Sequence, residues 1–165
     1  MDLPPTPPAL FGAALSVETA RWCGEWADSL ITVHQAPEKL RAVIDAFREG
    51  GGAGKTIRVQ AKVSWAPTDD EALAGAYDQW RTNVFESKVM ADLEEVAHFE
   101  AAATHVRPED MHDSVLISSD PGRLCAQLRD ITDVGVDELV LHQVAKEQER
   151  FIDLFATKVL PELRS

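Results

Sequence analysis

The sequence predicts a parallel α/β fold built from four strand-helix units, and three observations carry that prediction. The chain repeats itself: from His34 it reads His-Gln, then Ile44-Asp45 and Phe47, and from His142 it reads His-Gln, then Ile152-Asp153 and Phe155, at identical offsets. Each copy opens on an acid, Asp28 or Asp137, and runs through apolar or β-branched residues into a short polar link and a helix-period stretch. Two further segments follow the same grammar, "ALFGAALS" before "VETARWCGEWA" and "TIRVQAKVSWA" before "TDDEALAGAYDQWRTN".

Taken in order, the first unit has small residues at Gly12, Ala13 and Ala14, and Ser16 stands where its helix begins. The second leads from Asp28 through "ITVHQAP" into a helix after Pro37. "GGGAGKT", Gly50 to Thr56, superficially resembles a phosphate-cradling loop. It lacks the required first glycine, having Glu49 there, and a helix precedes it where a strand is needed, so it reads as a helix terminator feeding the next strand. In the third unit, Thr68 and Asp69 are expected caps, with acidic residues crowding the first helical turn. A longer excursion, about Asn83 to Val136, holds a helix "VFESKVMADLEEVAHFEAAATHV" and a second one, "SSDPGRLCAQLRD", capped by Asp120, started by Pro121 and ended by Gly135. The last strand follows. The expected organisation is one domain, residues 1–165, with a helical insertion over 83–117 before the last strand.

Strands apolar on both faces need helices on one side and something else on the other. In a (β/α)₈ barrel that other side is the barrel interior, and the residues just after each strand form the ligand-binding mouth. Four units make half such a barrel, and His34-Gln35, Trp65 and His142-Gln143 then fall on one rim. Two readings of each His-Gln pair stand side by side: a rim residue facing substrate, or a polar strand end.

Sixteen Lys plus Arg against 28 Asp plus Glu give a formal charge of −12, with no basic run. This disfavours nucleic acid and anionic membranes as partners. "MDLPPTPPAL" lacks signal-peptide features and no apolar stretch is long enough to span a bilayer, so a cytoplasmic location is expected. Cys23 and Cys125 stand alone in helix-like sequence and read as small buried hydrophobes. Glu95 and His98 have di-iron-like spacing without the second motif such a site needs, and His105 and His112 have no ligand partner at a useful spacing, so no metal is expected. "FGAALSVETA" admits two accounts: a backbone anion site suited to phosphate at the start of a helix, or tight strand-helix packing with Ser16 as an ordinary cap.

The succession "GAALSVETARWCGEWADSLITV", "VSWAPTDDEA", "SSDPGRLCAQLRDITDVGVDELVLHQ" and "FATKVLPELR" resembles the C-terminal half of the bacterial luciferase-like flavin oxidoreductases, in the branch similar to deazaflavin-dependent glucose-6-phosphate dehydrogenase. The resemblance implies a TIM-type barrel whose fifth to eighth strands are represented here. It also implies that Ala14, Leu15 and Ser16 lie against the phosphate of FMN or a deazaflavin. Relatives often carry glycine where this chain has Leu15 and Ser16, which bears on how closely the backbone approaches the phosphate. Residues handling the hydride lie on the other half in such relatives, so no catalytic residue is carried over. The sugar-phosphate lysines have no counterpart, Lys88 included. His34, Trp65 and His142 are then expected to shape the pocket for a small-molecule substrate. On this reading the chain is part of an enzyme performing hydride transfer or monooxygenation, paired with an N-terminal half. The other reading is a non-catalytic, self-associating half-barrel binding or assembly module; in either case a homo-oligomer is expected, since an open sheet has unpaired edges and an uncovered face.

Overall fold

The structure, a computed structural model, describes residues 6–85 and 87–164. Its elements run β1 (Phe11–Ala13), α1 (Val17–Trp26), β2 (Ser29–Val33), α2 (Pro37–Phe47), β3 (Thr56–Ser64), α3 (Asp69–Trp80), α4 (Ser87–Ala91), α5 (Val96–Ala103), β4 (Leu116–Ile117), α6 (Pro121–Thr132), β5 (Glu138–Gln143), α7 (Gln148–Leu154) and α8 (Leu160–Leu163). The chain forms two compact units, Met1–Ala61 with Arg129–Val140 and Lys62–Leu128 with Leu141–Ser165, the division falling within β3, α6 and β5.

In the first unit, β1 pairs β2 and β2 pairs β3, all parallel, with Leu30 opposite Ile57 and Ile31 opposite Arg58. On its other edge β3 meets β5: the Ile57 N–H donates to the Asp137 carboxylate at 2.8 Å, and the Asp137 N–H donates to the Ile57 carbonyl at 3.0 Å. Alternation along β3 is strict. Ile57, Val59 and Ala61 are buried, whereas Thr56, Arg58 and Gln60 are half-exposed. The buried face lies under α1 and α2, which contribute Cys23, Leu40, Ile44 and Phe47 to the core. The opposite face, with Phe11, Ile31, Val33 and the Arg58–Glu138 ion pair, has no helix over it in this unit.

The glycine-rich stretch closes α2 in a π-type turn, Arg48–Gly52, whose Gly51 has φ of 108°. A Cβ at Gly50 would lie 2.0 Å from the Arg21 carbonyl oxygen, so only glycine lets this turn seat against α1. Lys55 donates to the Gly24 carbonyl at 2.9 Å, a structural role in keeping with the reading of this segment as a terminator rather than a phosphate loop.

In the second unit, β3 ends beside β4, with Val63 opposite Leu116, and the Val144 N–H donates to the Val63 carbonyl at 2.9 Å, just past the end of β5. Along this edge the bonded partners rise together, 57 to 63 with 137 to 144, so β5 runs parallel to β3. Its core gathers Ala72, Ala76, Met111, Val115 and Ile117. Thr68 caps α3 by accepting the Glu71 N–H at 3.2 Å, and Asp120 accepts the Gly122 N–H at 2.8 Å at the start of α6, both as predicted.

The insertion differs from the single helix predicted over 84–106. The chain forms α4 and α5, separated by turns at Asp92 and Leu93 and by an extended Glu95 (φ −121°, ψ 152°). One continuous helix would hold Asp92, Glu94 and Glu95 in its interior, whereas the break sets Glu94 and Glu95 at the start of α5, where the helix dipole favours negative charge. The break also removes Glu95 and His98 from a common helical face. The strand β4 was not foreseen, because two residues carry no readable period.

Candidate functional site

The predicted phosphate contact lies at the β1–α1 junction. Ala14 is buried and its N–H donates to the Ile31 carbonyl at 3.1 Å, so it supplies wall rather than donors. Ser16 caps α1: its hydroxyl oxygen accepts the Thr19 N–H at 3.2 Å and its O–H donates to the Thr19 hydroxyl at 3.0 Å. Leu15 is exposed, at 58%. What remains for an anion is the row of N–H groups at Leu15, Ser16, Val17 and Glu18. None of them has an acceptor inside the helix, and together they lie at the positive end of its dipole. Glu18, in the first turn, is a competing negative charge on the same end.

The neighbouring strand adds a polar group. Past the end of β2, the Gln35 side-chain nitrogen is buried with no hydrogen-bond partner, the kind of orphan that a bound ligand satisfies. His34, beside it, is half-buried, and its backbone N–H donates to the Gln60 carbonyl at 2.8 Å. Free helix-start donors and an orphaned amide both suit a phosphate-bearing cofactor. The residues of the first unit that would hold one are therefore Leu15, Ser16, Val17 and Gln35.

Trp65 and His142 belong to the second unit. Trp65 is buried, and its indole N–H donates to the Ser119 carbonyl at 3.0 Å. Gln143 binds the Trp65 backbone with both ends of its amide. The two His-Gln phrases thus differ in use: Gln143 is fully engaged, whereas the Gln35 amide nitrogen is not. Trp65 borders a cleft of about 300 Å³ lined also by Glu71, Gly75, Asp78, Lys146 and Arg150. Gly75 sets the width of that cleft, since a Cβ there would meet the Ala145 Cβ at 2.8 Å. Lys146 pairs with Asp78 at 2.9 Å and, with the Gln79 amide, holds the Asp78 carboxyl below the ordinary carboxylate range. His142 does not line this cleft; its ring meets Trp80 edge-on, centroids 5.0 Å apart. Lys62 lies 5.6 Å over the same Trp80 ring, and burial lowers its ammonium pKa.

Sequence reasoning placed weight on His34 and did not single out Gln35 as a donor; the signal for it, the repeated His-Gln, was present, but only burial tells the two glutamines apart. Among the described residues, no cluster of three or more His, Cys, Asp or Glu could hold a metal, and no helix is long and apolar enough to cross a membrane.

The chain thus sets parallel strands before helices, with backbone donors just beyond the first strand, and comparison with known proteins gives the class. The sequence model of one family, described as Luciferase-like monooxygenase, matches residues 1–138, and the chain belongs to that family. Its relatives include the F420-dependent glucose-6-phosphate dehydrogenase of Mycolicibacterium gilvum (strain PYR-GCK), 27% identical over 171 residues, covering 99% of this chain and 51% of the relative. The F420-dependent glucose-6-phosphate dehydrogenase 2 of Rhodococcus jostii (strain RHA1) is 27% identical over 174 residues with the same coverage. Among solved structures, an F420-dependent secondary alcohol dehydrogenase in complex with an F420-acetone adduct superposes with a TM-score of 0.85 at 19% identity, covering 98% of this chain and 51% of that one. The coenzyme F420 dependent tetrahydromethanopterin reductase from Methanopyrus kandleri gives 0.72 at 18% identity, covering 94% and 51%. The chain spans about half the length of the curated relatives it matches, and its fold is that of half of a TIM-type luciferase-like barrel.

Proposed function

We propose that this chain is the cofactor-holding half of an F420- or FMN-dependent oxidoreductase acting on a small-molecule substrate, in the cytoplasm. The observations that carry the reading are the N–H groups of Leu15 to Glu18 at the β1–α1 junction, which have no acceptor within the helix, and the orphaned Gln35 amide past the end of the neighbouring strand β2. Backbone N–H groups at a helix start bind phosphate without needing a basic side chain, which suits a chain of net charge −12. Ser16 keeps the first turn wound and the donors in place, Ala14 forms the wall, and Gln35 supplies a side-chain donor. Ala14, Leu15 and Ser16 are the phosphate contact; on the substrate side stand His34 in the first unit and, in the second, His142 against Trp80 and Trp65 held in place by Gln143 and Ser119. A bound flavin or deazaflavin supplies hydride transfer, or oxygen activation in the case of a flavin. The residues that handle the hydride are to be sought on a complementing half.

The test is titration of the purified chain with FMN and, separately, with F420, following cofactor fluorescence. Saturable binding of either at roughly micromolar concentration is expected. Silence with both would remove the cofactor role and leave the second reading, a self-associating module. That reading is favoured by the sheet face of Phe11, Ile31 and Val33, which has no helix over it in its unit.

A further inference from the structure

Two opposite charges at the start of α7 face one cleft and do not meet each other. Glu147 and Arg150 stand one helical turn apart, and both border the cleft of about 300 Å³ beside Trp65. Neither side chain has a hydrogen bond or ion pair among the described residues. The other charges on the cleft are already matched: Lys146 pairs with Asp78 at 2.9 Å, and Glu71 accepts the Thr68 hydroxyl at 3.1 Å. What the cleft offers a ligand is therefore one carboxylate and one guanidinium.

The cleft lies on its own side of α3. At about 100° per residue, Glu71, Gly75, Asp78 and Gln79 share one face of that helix, whereas Leu73, Tyr77 and Trp80 fall roughly half a turn away. The second set packs against the core of the unit, where Trp80 meets His142. A ligand in the cleft thus sits across α3 from His142, and of the residues placed on the substrate side only Trp65 borders it. The apolar walls are Trp65, Ala66, Pro67 and Ala145. They are fixed in place: Gln143 holds the Trp65 backbone, and the Gln148 amide donates to the Gln143 and Ala145 carbonyls at 3.1 and 2.6 Å. Walls held in this way lose little freedom when a ligand arrives.

We infer that this cleft is a second ligand site, for an α-amino acid with an apolar or aromatic side chain. The carboxylate of such a ligand takes the Arg150 guanidinium, its ammonium takes the Glu147 carboxylate, and its side chain lies against Trp65 and Pro67. An α-amino acid carries its two charges on one carbon and its neighbour, so it bridges protein charges that stand one turn apart without touching. A simple anion would face Glu147, and a simple amine would face Arg150, each with a like-charge contact that the zwitterion avoids. A volume of about 300 Å³ is at the lower end of small-molecule sites and suits a ligand of this size. The inference goes beyond the oxidoreductase reading, since it uses neither the phosphate donors nor His34 or His142.

Isothermal titration calorimetry of the purified chain takes L-phenylalanine as the probe, with phenylacetate and phenethylamine as the analogues lacking the ammonium and the carboxylate. Phenylalanine is expected to saturate with a dissociation constant of roughly 1 mM or tighter, and either analogue to bind at least about tenfold more weakly. Arg150→Gln and Glu147→Gln, both on exposed side chains, should each weaken phenylalanine binding by about tenfold or more. His142→Ala, across α3, should leave it within about twofold. No saturation by about 10 mM, an analogue as tight as phenylalanine, or equal affinity in either charge variant overturns the site. So does a large loss in His142→Ala, which would put the ligand on the substrate side. Titration of the same chain with FMN and F420 keeps the two ideas apart: silence with both defeats the oxidoreductase reading and leaves the amino-acid site standing.

Discussion

Gln143 clasps the backbone of Trp65: its side-chain oxygen accepts the Trp65 N–H at 3.1 Å and its nitrogen donates to the Trp65 carbonyl at 3.0 Å. Both residues are buried, so a strand end that would otherwise need water is satisfied by one amide. Gln143→Leu leaves two buried backbone groups without partners and should cost about 2–4 kcal/mol, seen as a fall in Tm of about 5–15 °C. A loss near zero would mean that water replaces the amide and that Trp65 is not fixed in this way.

Ser16 is expected to act twice. Ser16→Ala removes the cap on the Thr19 N–H and should lower stability by about 1 kcal/mol while leaving cofactor affinity within a few-fold. Ser16→Asp retains a capping oxygen but sets a carboxylate against the phosphate, and should abolish cofactor binding in the fluorescence titration. Unchanged binding in the Asp variant would remove the assignment of Ala14 to Ser16.

His34→Ala and His142→Ala should each leave cofactor affinity nearly intact, in line with a place on the substrate side. His142→Ala also deletes the edge contact with Trp80, so its near-ultraviolet circular dichroism should change. A large loss of cofactor affinity in either variant contradicts the substrate-side role.

Asp69 accepts the Ser119 N–H at 2.7 Å, and this bond, aided by Arg123 and His112 nearby, holds its carboxyl below the ordinary carboxylate value. Because the folded-state pKa is the lower one, the contribution is fully present above the unfolded value, about 3.9, and is lost as pH falls through the depressed folded one. Urea midpoints measured against pH should therefore fall less steeply below about pH 4 in Asp69→Asn than in the parent. Parallel acid limbs would show that the Ser119 bond does not discriminate between the charged and neutral carboxyl.

Cys23 is 1% exposed, with its thiol pKa pushed up by burial, and Cys125 is 2% exposed. A thiol-disulfide reagent at neutral pH should modify neither until denaturant opens the chain. Rapid labelling of one thiol under native conditions would contradict the packing of α1 or of α6.

Much of this fold was legible because its signals are local. Thr68 and Asp120 announce their helices through side chains that reach only a few residues, and the strict alternation from Ile57 to Val63 marks β3 directly. The split of the insertion into α4 and α5 was not legible, since Phe85, Val89 and Leu93 keep a helical period up to the point where the acidic residues break it. Of the candidate site, Ser16 could be read both as a cap and as a phosphate neighbour, and the structure shows the cap. The clasp of Gln143 on Trp65 joins residues 78 apart, and nothing near either one in the sequence points to the other. The same holds for Gln35, whose orphaned nitrogen is a matter of burial alone.

The central position of β3 also has a consequence for how the chain is made. One edge of β3 is served by β2, which leaves the ribosome shortly before it. The other is served by β5, as in the bond between Ile57 and Asp137 across 80 residues. During synthesis, at about 5–20 residues per second, β3 must wait several seconds with one edge open while the insertion and α6 are translated. A nascent chain in that interval presents a bare apolar strand, and chaperone engagement should fall once the codons for β5 have been read.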